Sequence, residues 1–143
     1  MSFSGLLYAI GAAITWGVVY TIDQRVLKGA SPFALLFVDA LLTTLLLLPI
    51  VLLDRASLGS LNHTSIKVWL LIIASLVLAA LANFFIYSSI RILGASSASV
   101  FEISYPFFVV LFSYLAFGSE LNLYFLIGGL CIFAGSAIII FFA

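Results

Sequence analysis

Two carboxylic acids sit where water should not reach. Glu102 lies in Ala98-Ser99-Val100-Phe101-Glu102-Ile103-Ser104-Tyr105-Pro106-Phe107, and Asp39 in Phe33-Ala34-Leu35-Leu36-Phe37-Val38-Asp39-Ala40, both within long apolar runs. A charged acid deep in a bilayer costs roughly 2.5 to 3.5 kcal/mol on insertion scales, so it faces a polar cavity or a partner. There it can bind a proton or a cationic ligand, one at the expense of the other. Pro106 withholds a backbone donor in the same stretch as Glu102, which neighbouring helices or water must make good. Thr15, Trp16, Asn83 and Tyr105 are the remaining candidates to line a path. Trp16 and Tyr105 offer ring faces to a flat or cationic ligand, and Asn83 offers an uncharged donor and acceptor.

Each has a plainer reading. Glu102 can pair with Arg91, and Asp39 can serve as a hydrogen-bonding group between helices. Asn83 can pack one helix on another, and the aromatic residues can sit as interface or packing groups. Cys131 has no second cysteine, and His63, the only histidine, falls in a polar loop. No Cys/His cluster, Gly-rich phosphate loop or Ser/His/Asp set is present, so neither an enzyme, a metal site nor a bound cofactor is expected.

The elements that must hold these groups follow from composition. Of 143 residues 66% are apolar, the mean hydropathy is +1.40, and 7% are charged, where a soluble domain carries about 25%. The chain reads as an integral membrane protein. Its long unbroken runs suit helices and not the alternating strands of an outer-membrane barrel, so the fold class is an all-α membrane bundle. Five Lys and Arg balance five Asp and Glu, which gives no sign of a nucleic-acid partner. Met1-Ser2-Phe3-Ser4-Gly5 lacks the basic start of a cleaved signal and is taken as leading into the first span.

Runs of 18 or more residues bounded by polar punctuation give five spans. They cover about Phe3 to Ile22, Phe33 to Leu53, Val68 to Ile90, Ser97 to Phe117 and Leu123 to Phe142, in one domain over 1–143. The one loop of any size runs from Asp54 to Lys67 and holds Arg55, Ser57, Ser60, Asn62 and His63. At 100° per residue Tyr8, Ala12, Thr15, Trp16 and Asp23 share roughly a 100° sector of the first span. Asp23, Arg25 and Lys28 then reach towards headgroups. Counted from Ser31-Pro32, a common helix start, Asp39 comes roughly 12 Å along the second span at 1.5 Å per residue, on a face with Pro32 and Thr43. The third span has a small strip of Ser75, Ala79, Ala82 and Asn83 and closes on Arg91 and Gly94, a cation and an αL cap.

In the fourth span Ser99, Glu102, Pro106 and Ser113 fall within about 60° of arc. The fifth offers Gly128, Cys131 and Gly135 as a small packing face. Spans two and four run in the same direction, which sets Asp39 and Glu102 at similar depth, with Arg25, Lys28 and Arg91 on that side. Positive charge does not fix orientation: Arg55 and Lys67 on one side face Arg25, Lys28 and Arg91 on the other, and two against three is nearly no bias. Insertion in both directions would permit an antiparallel homodimer, and an odd number of spans suits inverted halves.

Thr15-Trp16-Gly17, Leu27-Lys28, Pro32, Tyr87, Leu93-Gly94-Ala95-Ser96, Pro106, Gly118-Ser119-Glu120-Leu121, Gly128 and Gly135 occur in this order over nearly the whole chain. In that order and spacing they resemble one five-span unit of the drug/metabolite transporter superfamily, EamA type. The resemblance implies half of a ten-helix transporter, and hence a homodimer or a heterodimer with a similar five-helix protein. It also implies secondary transport of a small metabolite or amphipathic compound across a prokaryotic plasma (inner) membrane. Two departures stand out: the acid after Gly118 comes one residue late, with Ser119 in its place, and Glu102 and Asp39 match no motif of the family. Proton coupling through Glu102 first and Asp39 second therefore rests on the physical argument. The alternative is a non-transporting membrane scaffold or accessory subunit whose acids only pair with cations.

Overall fold

The computed structural model describes residues 3–54, 58–59, 61, 64–118, 120 and 123–142. Arg55, Ser57, Ser60, Asn62 and His63 of the long loop, and Ser119 and Leu121 of the Gly118 motif, lie outside the described residues. The chain is all-α. Its helices are α1 Phe3–Val26, α2 Pro32–Leu53, α3 Ile66–Leu93, α4 Ala95–Glu102, α5 Tyr105–Phe117 and α6 Leu123–Phe142. By length and composition α1, α2, α3 and the stretch Ala95–Phe117 can each cross a membrane, and α6 adds a further apolar helix. Apolar side chains cover most of their exposed surface, as a hydrocarbon solvent requires.

Helices α1 and α3 run a few residues past the apolar runs that predicted them, because hydropathy marks the part in hydrocarbon and not the helix end. The fourth span differs more. It is two helices, with a turn at Ile103–Ser104. Pro106, in the first turn of α5, has no N–H for the Glu102 carbonyl. The turn tightens in response: the Ser104 N–H reaches Phe101 and the Phe107 N–H reaches Ser104, both at 3.2 Å and both three residues back. That shortening ends the 100° register. Ser99, Glu102, Pro106 and Ser113 therefore do not form the continuous stripe that one straight helix would give.

The residues group into two compact units, 1–24 with 89–143 and 25–88. Within the first, α6 packs along both α4 and α5. Its contact face is not the expected Gly128, Cys131 and Gly135. A Cβ on Gly128 or Gly135 would meet nothing within 4 Å, and Cys131 is exposed. The tight face is Gly129 and Ser136. A Cβ on Gly129 would come within 3.1 Å of Phe107 Cβ, and Ser136 Oγ lies 2.8 Å from the Val100 carbonyl. The tightened turn explains the second contact. The Ser104 N–H that would take Val100 in a regular helix goes to Phe101, and Ser136 supplies the missing donor.

Gly94 separates α3 from α4 with φ 85° and ψ 160°. This is not the αL cap expected from sequence but a region open essentially to glycine alone. No side chain of Gly94 can cap α4, and Gln24 of α1 does so instead, its Oε1 accepting the Ala95 N–H at 2.8 Å. Gly118 closes α5 in αL geometry, φ 63° and ψ 24°. In the second unit α2 begins at Pro32 behind an N-cap at Ser31, whose Oγ accepts the Ala34 N–H at 3.1 Å. Phe33 of α2 stacks on Phe84 of α3, ring centres 4.4 Å apart.

Candidate functional site

Glu102 ends α4, half-buried, at the last residue before the broken turn. Its Oε2 accepts a hydrogen bond from the Tyr20 hydroxyl of α1 at 2.5 Å. Tyr20 is among the most enclosed side chains of the chain, 7% exposed, so the phenol is held while the carboxylate remains partly open. Trp16, one turn earlier on α1, leans on Tyr20 with ring centres 5.4 Å apart and planes at 51°. The three groups form a chain, an indole against a phenol ring and the phenol's hydroxyl on a carboxylate. The ion pair that would have neutralised Glu102 is not formed. Among the described residues nothing pairs with Arg91, which is exposed.

The same chemistry recurs within the second unit. Asp39 of α2 is half-buried, and its Oδ2 accepts a hydrogen bond from the Tyr87 hydroxyl of α3. Tyr87 is 5% exposed. A phenol is a suitable partner for an acid in a membrane, because its ring is at home in apolar surroundings and its hydroxyl needs an acceptor when buried. Asn83 lies half-buried one turn before Tyr87.

The other predicted residues are placed differently. The Thr15 hydroxyl donates to the Gly11 carbonyl of its own helix at 2.8 Å, so its hydrogen is already committed. Tyr105 is 61% exposed, in the first turn of α5. Pro106 lines an apolar groove of about 290 Å³ with Tyr124, Phe125, Gly128, Gly129 and Ile132. The Ser99 hydroxyl returns to the Ser96 carbonyl at 2.9 Å. Asp23 is buried, 6% exposed, and is not displayed towards headgroups as its place at the end of the first span suggested. No group of three or more His, Cys, Asp and Glu gathers among the described residues.

Sequence reasoning missed Tyr20. The available signal was its position four residues after Trp16, about 40° beyond the sector that Tyr8, Thr15, Trp16 and Asp23 share. What no spacing could supply was its partner 82 residues away.

The arrangement can do one kind of chemistry. A carboxylate presents about four lone-pair positions, and a phenol fills one. The remainder can take a proton or a positively charged group. Compared with known proteins, the chain matches the model of the EamA-like transporter family over residues 3–141. No curated protein and no solved structure matches it.

Proposed function

The chain belongs to the EamA-like transporter family, and from that premise we propose that it is one subunit of a secondary transporter for a small metabolite or amphipathic compound. In this reading the five-helix chain works as a dimer, with itself or with a similar protein, in a prokaryotic plasma membrane. Glu102 is the acid that takes a proton or a positively charged substrate group. The observation that carries this role is its setting: a half-buried carboxylate, held by one phenol and free of any ion pair with Arg91. The scaffold alternative needs Glu102 to pair with a cation, and Arg91 does not supply one. Asp39, under Tyr87, is the second acid. Trp16 lies nearest the first site, and Asn83, Tyr105 and Pro106 are candidates for the path.

Proteoliposome flux under a pH gradient tests the proposal, with wild type compared to Glu102→Gln over a panel of amphipathic amines, amino acids and neutral metabolites. Substrate-dependent proton movement is expected in wild type and should vanish in the variant. No such movement with any member of the panel would count against proton-coupled transport. Intact flux in the variant would remove Glu102 from the mechanism.

A further inference from the structure

The Tyr20 hydroxyl is the one hydrogen-bond partner of the Glu102 carboxylate among the described residues. The bond joins α1 to the last residue of α4 and stands beside the turn where the fourth span breaks. Its two ends are unequal. Tyr20 is enclosed and braced by Trp16, whereas Glu102 is only half-buried. A phenol that donates to a carboxylate occupies one of the lone-pair positions of that oxygen. An arriving proton or cation draws on the same oxygen electrons. We infer that Tyr20 is a positioning residue that gates Glu102: the phenol holds the empty carboxylate, and a proton or positively charged group loads the acid by displacing it. The inference rests on the proposed role of Glu102 as the loaded acid.

A gate of this kind lowers the fraction of molecules whose acid is ready to react, and apparent affinity falls by that fraction. For one charge-assisted hydrogen bond the factor is about tenfold. A Tyr20 whose ring merely packed beside Trp16 would have no such effect, since Tyr20→Phe keeps that ring.

The test reads that reactivity directly. Full-length protein in liposomes is treated with dicyclohexylcarbodiimide at fixed pH, and the adduct at Glu102 is followed by mass spectrometry. The reagent takes up the carboxyl proton on nitrogen while a carboxyl oxygen bonds to its central carbon, so an acid released from the phenol should react faster. Tyr20→Phe should label about tenfold faster than wild type, and Glu102→Gln should give no adduct at that position. Ser136→Ala loosens the hold of α6 on α4 without touching the phenol, and should label at the wild-type rate. An unchanged rate in Tyr20→Phe overturns the inference, as does an equal acceleration in Ser136→Ala. If Tyr20→Phe does not reconstitute, Trp16→Leu removes the brace and keeps the hydroxyl. A partial acceleration then supports the gate, and none overturns it. Labelling needs no substrate, so fast labelling of Tyr20→Phe in a protein that moves none of the flux panel would keep the gate and discard the transporter. Unchanged labelling with intact proton-coupled flux would do the reverse.

Discussion

Replacing Gly129 by alanine should destabilise the chain, while the same change one residue earlier should not. A Cβ at Gly129 would lie 3.1 Å from Phe107 Cβ, 3.2 Å from Cδ2 and 3.4 Å from Cα. Carbon pairs prefer about 3.5 to 4.0 Å. The ring atom can rotate away, but Cα and Cβ move only if α5 shifts against α6. Overpacking of this kind costs about 1 to 3 kcal/mol. Alanine gains about 1 kcal/mol over glycine in a helix interior, which leaves Gly129→Ala about 0 to 2 kcal/mol less stable. At Gly128 an added Cβ meets nothing within 4 Å, so only the gain remains. The propensity term is common to both variants and cancels between them, and the difference of about 1 to 3 kcal/mol reports the contact alone. Unfolding of each purified variant in mixed micelles, followed by circular dichroism against added denaturing detergent, measures it. Gly129→Ala unfolding at or above the midpoint of Gly128→Ala would refute the assigned packing face of α6.

Three further outcomes follow from local geometry. Gly94→Ala should cost about 1 to 3 kcal/mol from backbone strain alone, since its Cβ would have ordinary contacts of 3.9 Å with Gln24. Gly118→Asn should be tolerated at its αL position, and a thermal melt of the two variants should rank them in that order. Gln24→Ala should lose the cap of α4 and about 0.5 to 2 kcal/mol, whereas Gln24→Glu keeps an oxygen at the helix N-terminus and should hold or raise the melting midpoint. Tyr87→Phe should lower stability by about 1 kcal/mol, the scale of interhelical hydrogen bonds in membranes. Asp39→Asn, which retains a carbonyl acceptor, should lose less in the same denaturation assay.

Sequence periodicity located the spans because hydrocarbon thickness dictates their length, and residues such as Asp54 and Gly118 marked ends that solvent chemistry also fixes. It could not see the turn at Ile103–Ser104. Pro106 was visible, but its missing N–H can be absorbed by a bend or by a tightened turn, and only the second resets the facing of Glu102. The doublet Gly128-Gly129 posed a similar ambiguity. Each glycine begins a plausible small-residue face about 100° from the other, and the choice is made by Phe107 on another helix. The acids themselves were legible, since a carboxylate in an apolar run is costly wherever it points. Their phenol partners were not, because a hydrogen bond between residues 82 or 48 apart leaves no periodic trace.

Lipid tails are as apolar as leucine, so apolar side chains say little about which helices meet in a bilayer. Within the unit of 1–24 and 89–143 that choice falls to small side chains and a few polar atoms. Gly129 admits Phe107, Gln24 caps Ala95, Ser136 holds Val100, and Tyr20 holds Glu102. Two of the three hydrogen bonds end on main-chain atoms, at the Ala95 N–H and the Val100 carbonyl. Those groups neither gain nor lose a proton, and they keep their partners as long as the fold stands. The Tyr20 to Glu102 bond alone joins two side chains, one of which can change charge. Of these four contacts it is the one with a second state to enter, so a response of their geometry to a proton or cation begins there.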